Sequence, residues 1–407
     1  MAEKIGVIGA GPAGIIAAGY AGARGKDVIL IEQNNKIGKK LYITGKGRCN
    51  ITNASPIENF FDNIITNKNF LYSSLYSYTN EDIMKLLKSY DLETKIERGN
   101  RVFPASNKSS DVIKALERFL SDNNVNVILN KRVKDIVYRE NEFTVYFSEK
   151  EYVKFNKLVI ATGGISYPAT GSTGDGYKFA RKFGHNIKEL KPSLVPLEIE
   201  EEWVKDLQGL SLRNVKLITY VDQKKVHEEF GEMLFTHYGI SGPIVLSTSN
   251  YINKYNKKKI SFSIDLKPAL SMEKLDRRLL RDFELYKNKQ INNGLNELLP
   301  QRLIPVVLKL SNIDEKKMIH QITKEERNLL IKNIKSLNFN FKEFRPIKEA
   351  IITSGGISIK EIEPSTMESK LIPGLFFAGE IIDVDALTGG YNLQIAYSTG
   401  FLAGNNV

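Results

Sequence analysis

"KIGVIGAGPAGIIAAGYAGARGKDVILIEQN", residues 4–34, decides the fold. Ile5, Val7 and Ile8 form a short apolar run, residues 9–14 carry Gly9, Gly11 and Gly14, and residues 15–23 are small and aliphatic. A second apolar run, residues 28–31, ends at Glu32. That order predicts strand, turn, helix and strand, a βαβ unit. Gly9 permits the tight turn, Gly11 lets backbone approach a pyrophosphate, and Gly14 lets the helix pack on the strand, with Pro12 and Ala13 in the same phosphate-binding turn. Glu32 follows Gly14 by 18 residues, where a carboxylate binds a ribose hydroxyl pair. The pattern predicts a dinucleotide site; the alternative is a glycine turn kept only for packing. An acid at the end of the second strand disfavours a 2′-phosphate, which leaves NAD or FAD.

The next stretch separates those two. "KIGKKLYITGKGRCNITN", residues 36–53, holds Lys36, Lys39, Lys40, Lys46 and Arg48 with no acid between them. Such a run can be a solvated loop. Directly after the ribose-binding acid it brings cations and backbone N–H groups to a pyrophosphate and toward a ring system, as expected of an FAD protein more than of a soluble NAD dehydrogenase. A second glycine turn lies far away in "GLFFAGEIIDVDALTGGYNLQIAYSTG", residues 374–400. Here the pattern predicts a strand over 375–378, the acids Glu380 and Asp383, a turn at Gly389 and Gly390, and a helix from about Asn392.

The totals narrow the classes. A chain of 407 residues holds two or three domains. No window approaches the roughly 18 consecutive apolar residues of a membrane span, and the N-terminal residues enter a strand without a signal-peptide layout, so the expected location is cytoplasmic. One cysteine, Cys49, excludes an internal disulfide, a CxxC redox pair and a cysteine-rich zinc site, and no metal site is expected. The net charge of +11 admits an anionic partner such as nucleic acid, but lysines spread along the chain, often beside acids, make solvated faces the plainer reading; residues 257–259 read as a solvated hairpin or loop.

Together, "GAGPAG" (9–14), "GKKLYITGKGRCNITN" (38–53), "ATGGISYPATGSTGDGY" (161–177), "MLFTHYGISGP" (233–243) and "GEIIDVDALTGGYNLQIAYSTG" (379–400) resemble the BaiN-like (YhiN-like) FAD-dependent oxidoreductases of bacteria. These are also described as the aminoacetone oxidase family of NAD(P)/FAD-dependent enzymes. One departure is Ala386, where glycine is expected before the TGG turn. The resemblance implies bound FAD in a Rossmann-like, two-dinucleotide-binding-type α/β domain. It implies cofactor contacts from Gln33, Lys40, Leu41, Thr44, Gly45, Arg48, Cys49 and Asn50, and from Val133 with its backbone toward the adenine. Ala161, Thr162 and Gly163 close a strand near the cofactor, and Gly379, Glu380 and Asp383 reach its ribityl or pyrophosphate region. Gly390, Tyr391, Asn392 and Leu393 bring a helix N-terminus to the flavin, where free N–H groups and the helix dipole stabilise negative charge on the reduced ring. Thr173 to Gly176 resemble a loop of fumarate-reductase-like flavoproteins, or serve only as a helix start with Asp175 accepting backbone N–H bonds.

Between the two dinucleotide segments, residues 191–270 alternate as strands and residues 271–345 read as helical, so the expected organisation is an FAD domain (1–190 and 346–407) split by a β-rich domain and a helical subdomain. His237 and Tyr238, beside a glycine turn, are candidate proton donor and carbonyl-polarising group, against a structural role at a hinge. Tyr391 is a further candidate donor or a ring packed on the flavin edge. Cys49 is a reactive thiol, if Lys46 and Arg48 lower its pKa, or a small buried filler. The expected function is hydride transfer through FAD between a donor, NAD(P)H bound transiently, and a small organic substrate such as an enone or steroid-like acceptor. The alternatives are an RNA-directed, tRNA-modifying flavoprotein and an amine oxidase using oxygen.

Overall fold

The computed structural model describes residues 3–255 and 258–407, without the side chain of Lys46; Lys257 of the predicted basic loop lies outside the described residues. The chain divides into two compact units, one running to Ser193 and resuming over Ile347–Val407, the other Leu194–Pro346.

The first unit is built on a parallel sheet. Its elements are β1 (Lys4–Ile8), α1 (Pro12–Ala23), β2 (Asp27–Ile31), α2 (Lys39–Gly47), β3 (Asn126–Ile128), β4 (Lys157–Ile160), β5 (Leu375–Phe377) and α3 (Tyr391–Asn406). The strand order is β5-β4-β1-β2-β3. β1 is buried almost throughout, which suits a strand covered on both faces in a parallel sheet. Pro12 sits in the first turn of α1, where its missing N–H costs nothing.

The C-terminal segment closes this unit. β5 pairs with β4, Phe376 opposite Val159, and α3 then lies against α1. The contact is close because α3 offers glycines: a Cβ on Gly400 would stand 2.4 Å from the Ala13 carbonyl oxygen, and one on Gly404 2.4 Å from that of Ala17. Arg24, just past α1, donates to the carbonyls of Gly404 and Val407 at 3.5 and 3.2 Å, serving the unpaired C-terminal end of α3.

Residues 36–48, a loop by glycine content, instead contain α2, which starts from Gly38 in the left-handed region (φ 62°). Leu41 is 1% exposed and anchors the helix to the core, an apolar contact that outweighs the local glycine preference for irregular backbone.

The second unit is a closed six-stranded barrel in the order Leu197–Ile199, Gly239–Ser241, Lys224–Phe235, Ser211–Val221, Ile260–Asp265, Leu337–Phe344. "LNFNFKEF" follows the helices yet completes the barrel, with Phe339 buried opposite Phe262, so its alternation wins over the helical trend preceding it. Barrel and helices share one apolar cluster, in which Leu275, Leu303 and Leu330 join Leu217, Phe262 and Phe339.

Candidate active site

The dinucleotide turn explains two of its three glycines from protein packing alone. Gly9 has φ 100° and a Cβ there would stand 2.6 Å from the Ala161 carbonyl oxygen; a Cβ on Gly14 would stand 1.9 Å from the Gly9 carbonyl oxygen. Gly11 is different. Its backbone is extended, which any residue adopts, and a Cβ on it would meet nothing within 4 Å. No protein atom requires glycine there, so the open space at a helix N-terminus is a cradle for something else, and its position fits a pyrophosphate.

Glu32 is buried at the end of β2 and holds this turn in place. Its Oε2 accepts from the Ala10 N–H at 2.8 Å, and its Oε1 accepts from the Asn34 N–H and side-chain amide at 2.8 and 2.7 Å. An ionised carboxylate has about four lone-pair positions, so capacity for a ribose hydroxyl is retained. Gln33 donates to the Gly171 carbonyl at 2.6 Å, and Asn34 to that of Thr170 at 3.0 Å, tying the end of β2 to the loop before the helix Asp175–Lys182. Asp175 in that loop is bound by Arg132 at 2.9 and 3.1 Å, next to the buried Val133. The Arg132, Lys178 and Thr173 partners outweigh burial and hold the Asp175 carboxyl below its ordinary range.

Lys40, on α2, donates to Glu380 Oε2 and to Ser166, both at 2.7 Å. Glu380 Oε1 accepts from the Thr353 N–H at 2.8 Å and from Ser166 at 3.0 Å. The basic segment and the C-terminal acid therefore meet, 340 residues apart in sequence. Thr44 closes onto the Leu41 carbonyl, Gly45 takes φ 57°, and Gly163 takes φ 72° above Ser172. Thr162 leaves its hydroxyl oxygen buried without a protein partner.

Arg48 turns elsewhere. It pairs with Glu97 at 2.9 and 3.1 Å and lies 4.0 Å over the Phe103 ring, engagements that a single glance at a basic run does not reveal. Cys49 is fully buried, and burial pushes its thiol up to about 12. Burial dominates over any neighbouring cation and makes Cys49 the small filler of the two readings.

The C-terminal turn is pressed onto the strand Thr52–Asn53: a Cβ on Gly390 would stand 2.4 Å from the Thr52 carbonyl oxygen, and Gly390 has φ 104°. Asn392 folds its side chain back, accepting from the Ala386 N–H at 2.9 Å and donating to the carbonyls of Ala386 and Leu387 at 2.8 and 3.2 Å. Gln394, wholly buried, accepts from the Thr52 hydroxyl at 2.8 Å and donates to the Tyr78 carbonyl at 3.0 Å. Thus TGGYNLQ is largely a clamp. What it leaves is the start of α3, with no side-chain cap and with first-turn N–H groups, Tyr391 to Leu393, that have no intrahelical partner.

Tyr391 opens that helix, and Asp383 precedes the turn that leads into it. Tyr391 meets Phe60 edge-on at 5.0 Å, and burial raises its phenol, which therefore stays protonated near neutrality. Burial, aided by the nearby Asp385 carboxylate, pushes the Asp383 carboxyl up, although Asn67 donates to it at 3.0 Å. Asn67 and the Phe60 aromatic ring were missed from sequence; only the positive φ expected of an asparagine in a turn hints at Asn67, which has φ 55°.

His237 and Tyr238 belong to the second unit, between the barrel strands Lys224–Phe235 and Gly239–Ser241. Their rings meet edge-on at 4.7 Å, and Arg345 lies 4.4 Å over Tyr238.

The family model described as the HI0933-like protein Rossmann domain matches residues 3–406. The chain belongs to that family. As a member it is an FAD-dependent oxidoreductase with a Rossmann-type FAD-binding fold. It is 29% identical over 99% of its length to the 3-dehydro-bile acid delta(4,6)-reductase of Clostridium scindens, of which 98% is covered. It is 30% identical over 97% of its length to the ribosomal RNA dihydrouridine synthase of Escherichia coli, of which 95% is covered. In fold it is similar to the 3-ketosteroid delta1-dehydrogenase of Sterolibacterium denitrificans, with a TM-score of 0.52, 12% identity and 98% of each chain covered. Among the described residues no helix is long and apolar enough to cross a membrane.

Proposed function

We propose that this family member reduces a carbon–carbon double bond conjugated to a carbonyl, and that the double bond is carried by uracil in RNA. FAD bound here would supply the two-electron chemistry, a hydride for one carbon of that bond, with a proton for the other carbon and NAD(P)H as the source of the electrons. The cradle at Gly11 carries the cofactor assignment. The reaction class is supported by what the names of the two kinds of relative share: a dihydrouridine synthase and a delta(4,6)-reductase both add two hydrogens across a ring double bond.

The chain's own residues divide the work. Gly11 and the N-terminus of α1 would hold the pyrophosphate, Glu32 the ribose, and Lys40 with Glu380 the central part of the cofactor. The α3 N-terminus would stabilise negative charge on the reduced ring. Tyr391, at that helix start and protonated near neutrality, is the candidate on this side to hydrogen-bond the ring edge or the substrate carbonyl, although its hydroxyl already interacts with Ser55.

The RNA reading is supported by the identity to the dihydrouridine synthase. The small-molecule reading, a steroid-like enone, is favoured by the bile acid reductase. The test is to delete the gene and map dihydrouridine in ribosomal RNA by mass spectrometry. Loss of a dihydrouridine that returns with the wild-type gene supports the RNA reading; an unchanged profile overturns it.

A further inference from the structure

The first unit carries three aromatic rings in near-parallel array beside the C-terminal turn. Phe61 stacks on Tyr72 with centroids 4.3 Å apart and planes 18° apart and lies 6.0 Å from Tyr76 at 24°, and Tyr72 and Tyr76 stand side by side at 6.3 Å and 8°. Phe61 is buried, whereas Tyr72 and Tyr76 are 47% and 50% exposed. The two tyrosines sit four residues apart on the helix Tyr72–Ser77, which fixes them on one face. Nothing in the fold of this unit needs two half-exposed rings held parallel, since core aromatics elsewhere in it meet mostly edge-on, as Tyr20 does with Phe401 and Phe119.

Position links the array to the active site. Phe60, next to Phe61, is the ring that meets Tyr391 edge-on. The strand Ile64–Thr66, which follows, pairs with Asp385–Ala386 immediately before the TGG turn. The rings therefore lie on the segments either side of a strand that pairs just before the TGG turn, and the helix carrying Tyr72 and Tyr76 packs against α3.

We propose that Phe61, Tyr72 and Tyr76 form a stacking platform for an unpaired base of single-stranded RNA next to the uracil that is reduced. This inference rests on the RNA-directed reading above. Single-stranded RNA is recognised by splaying bases onto aromatic faces, and the two half-exposed, near-parallel tyrosine rings, both backed by the buried Phe61, offer such a face. The chain's +11 charge provides attraction for a polyanion, and the exposed Lys68 precedes Tyr72 by four residues in the same helical run. The exposed acids Glu58 and Asp62 lie close to Phe61 in sequence, so local charge is mixed and stacking, not phosphate contact, carries recognition here.

The test measures dihydrouridine formation on protein-free ribosomal RNA from cells lacking the gene, with the full-length flavin-loaded enzyme and NADPH. Tyr72→Leu/Tyr76→Leu removes the rings and Tyr72→Phe/Tyr76→Phe keeps them. The platform predicts an RNA KM raised about tenfold or more in the leucine variant. The phenylalanine variant stays within about twofold, and kcat at saturation, flavin content and the salt dependence of KM stay as in the wild type. If the double leucine variant loses flavin, Tyr76→Leu alone reads the same change at the most exposed ring. An unchanged KM in an otherwise active leucine variant overturns the platform and leaves the RNA reading standing. A wild-type enzyme that forms no dihydrouridine on this RNA overturns both.

Discussion

The two glycine turns look alike in sequence and are built for different tasks. In the N-terminal turn, Gly9 and Gly14 are consumed by contact with the protein's own backbone, and Gly11 alone faces open space. In the C-terminal turn, Gly390 is pressed onto Thr52, and the space is left by the uncapped start of α3 instead. One turn makes room for a ligand by omitting a side chain; the other makes binding groups available by omitting a cap. The lesson is that a glycine's meaning lies in what its missing Cβ would touch, not in its place in a motif.

Substitutions sharpen that contrast. Gly14→Ala drives a Cβ into the Gly9 carbonyl and should cost about 3 kcal/mol of stability, read as a lowered denaturant midpoint with or without FAD. A normal midpoint would show that the turn relaxes and that its geometry is not fixed by packing. Gly11→Ala meets nothing, so the apo protein should unfold as the wild type does, while FAD binding weakens by about 2 kcal/mol, roughly thirtyfold, as measured by calorimetric titration. Equal FAD affinity would remove the cradle.

A smaller effect follows from the clamp region. The native Cys49 thiol stays protonated up to about 12, while in the unfolded chain it ionises above about 9.0. The unfolded state therefore binds fewer protons between those values, and stability falls as pH rises. By pH 10 the wild type should have lost about 1.4 kcal/mol more than Cys49→Ala relative to pH 8, from paired denaturation curves. Parallel pH profiles would show the thiol to be less buried than described. Smallest is Arg48→Gln, which breaks a half-exposed pair with Glu97 and should leave the melting temperature nearly unchanged. Flavin content in that variant decides whether Arg48 also serves the cofactor: retained flavin assigns it to the surface pair alone.

Much of this was legible in the chain. The βαβ unit and the C-terminal strand follow from short-range pattern, because a parallel strand buried on both faces has a distinctive apolar run, while the resemblance is what implied that this strand returns to the first domain. Side-chain destinations were not legible. Arg48 faces an acid 49 residues away, Lys40 one 340 residues away, and the sequence offers nothing to tell those fates apart. The barrel was hidden for a related reason: its last strand, Leu337–Phe344, comes after four helices and pairs with strands far earlier in the chain. Burial explains Cys49, since adjacent cations advertise a reactive thiol and only packing reveals the opposite.

The most direct measurement reduces the purified flavoprotein anaerobically with NADPH and then adds ribosomal RNA from cells lacking the gene, following flavin absorbance and dihydrouridine together. Reoxidation of the flavin with matching appearance of dihydrouridine is the predicted result. A flavin that stays reduced with RNA but reoxidises with a steroid enone would contradict the RNA assignment and move the double bond to a small molecule.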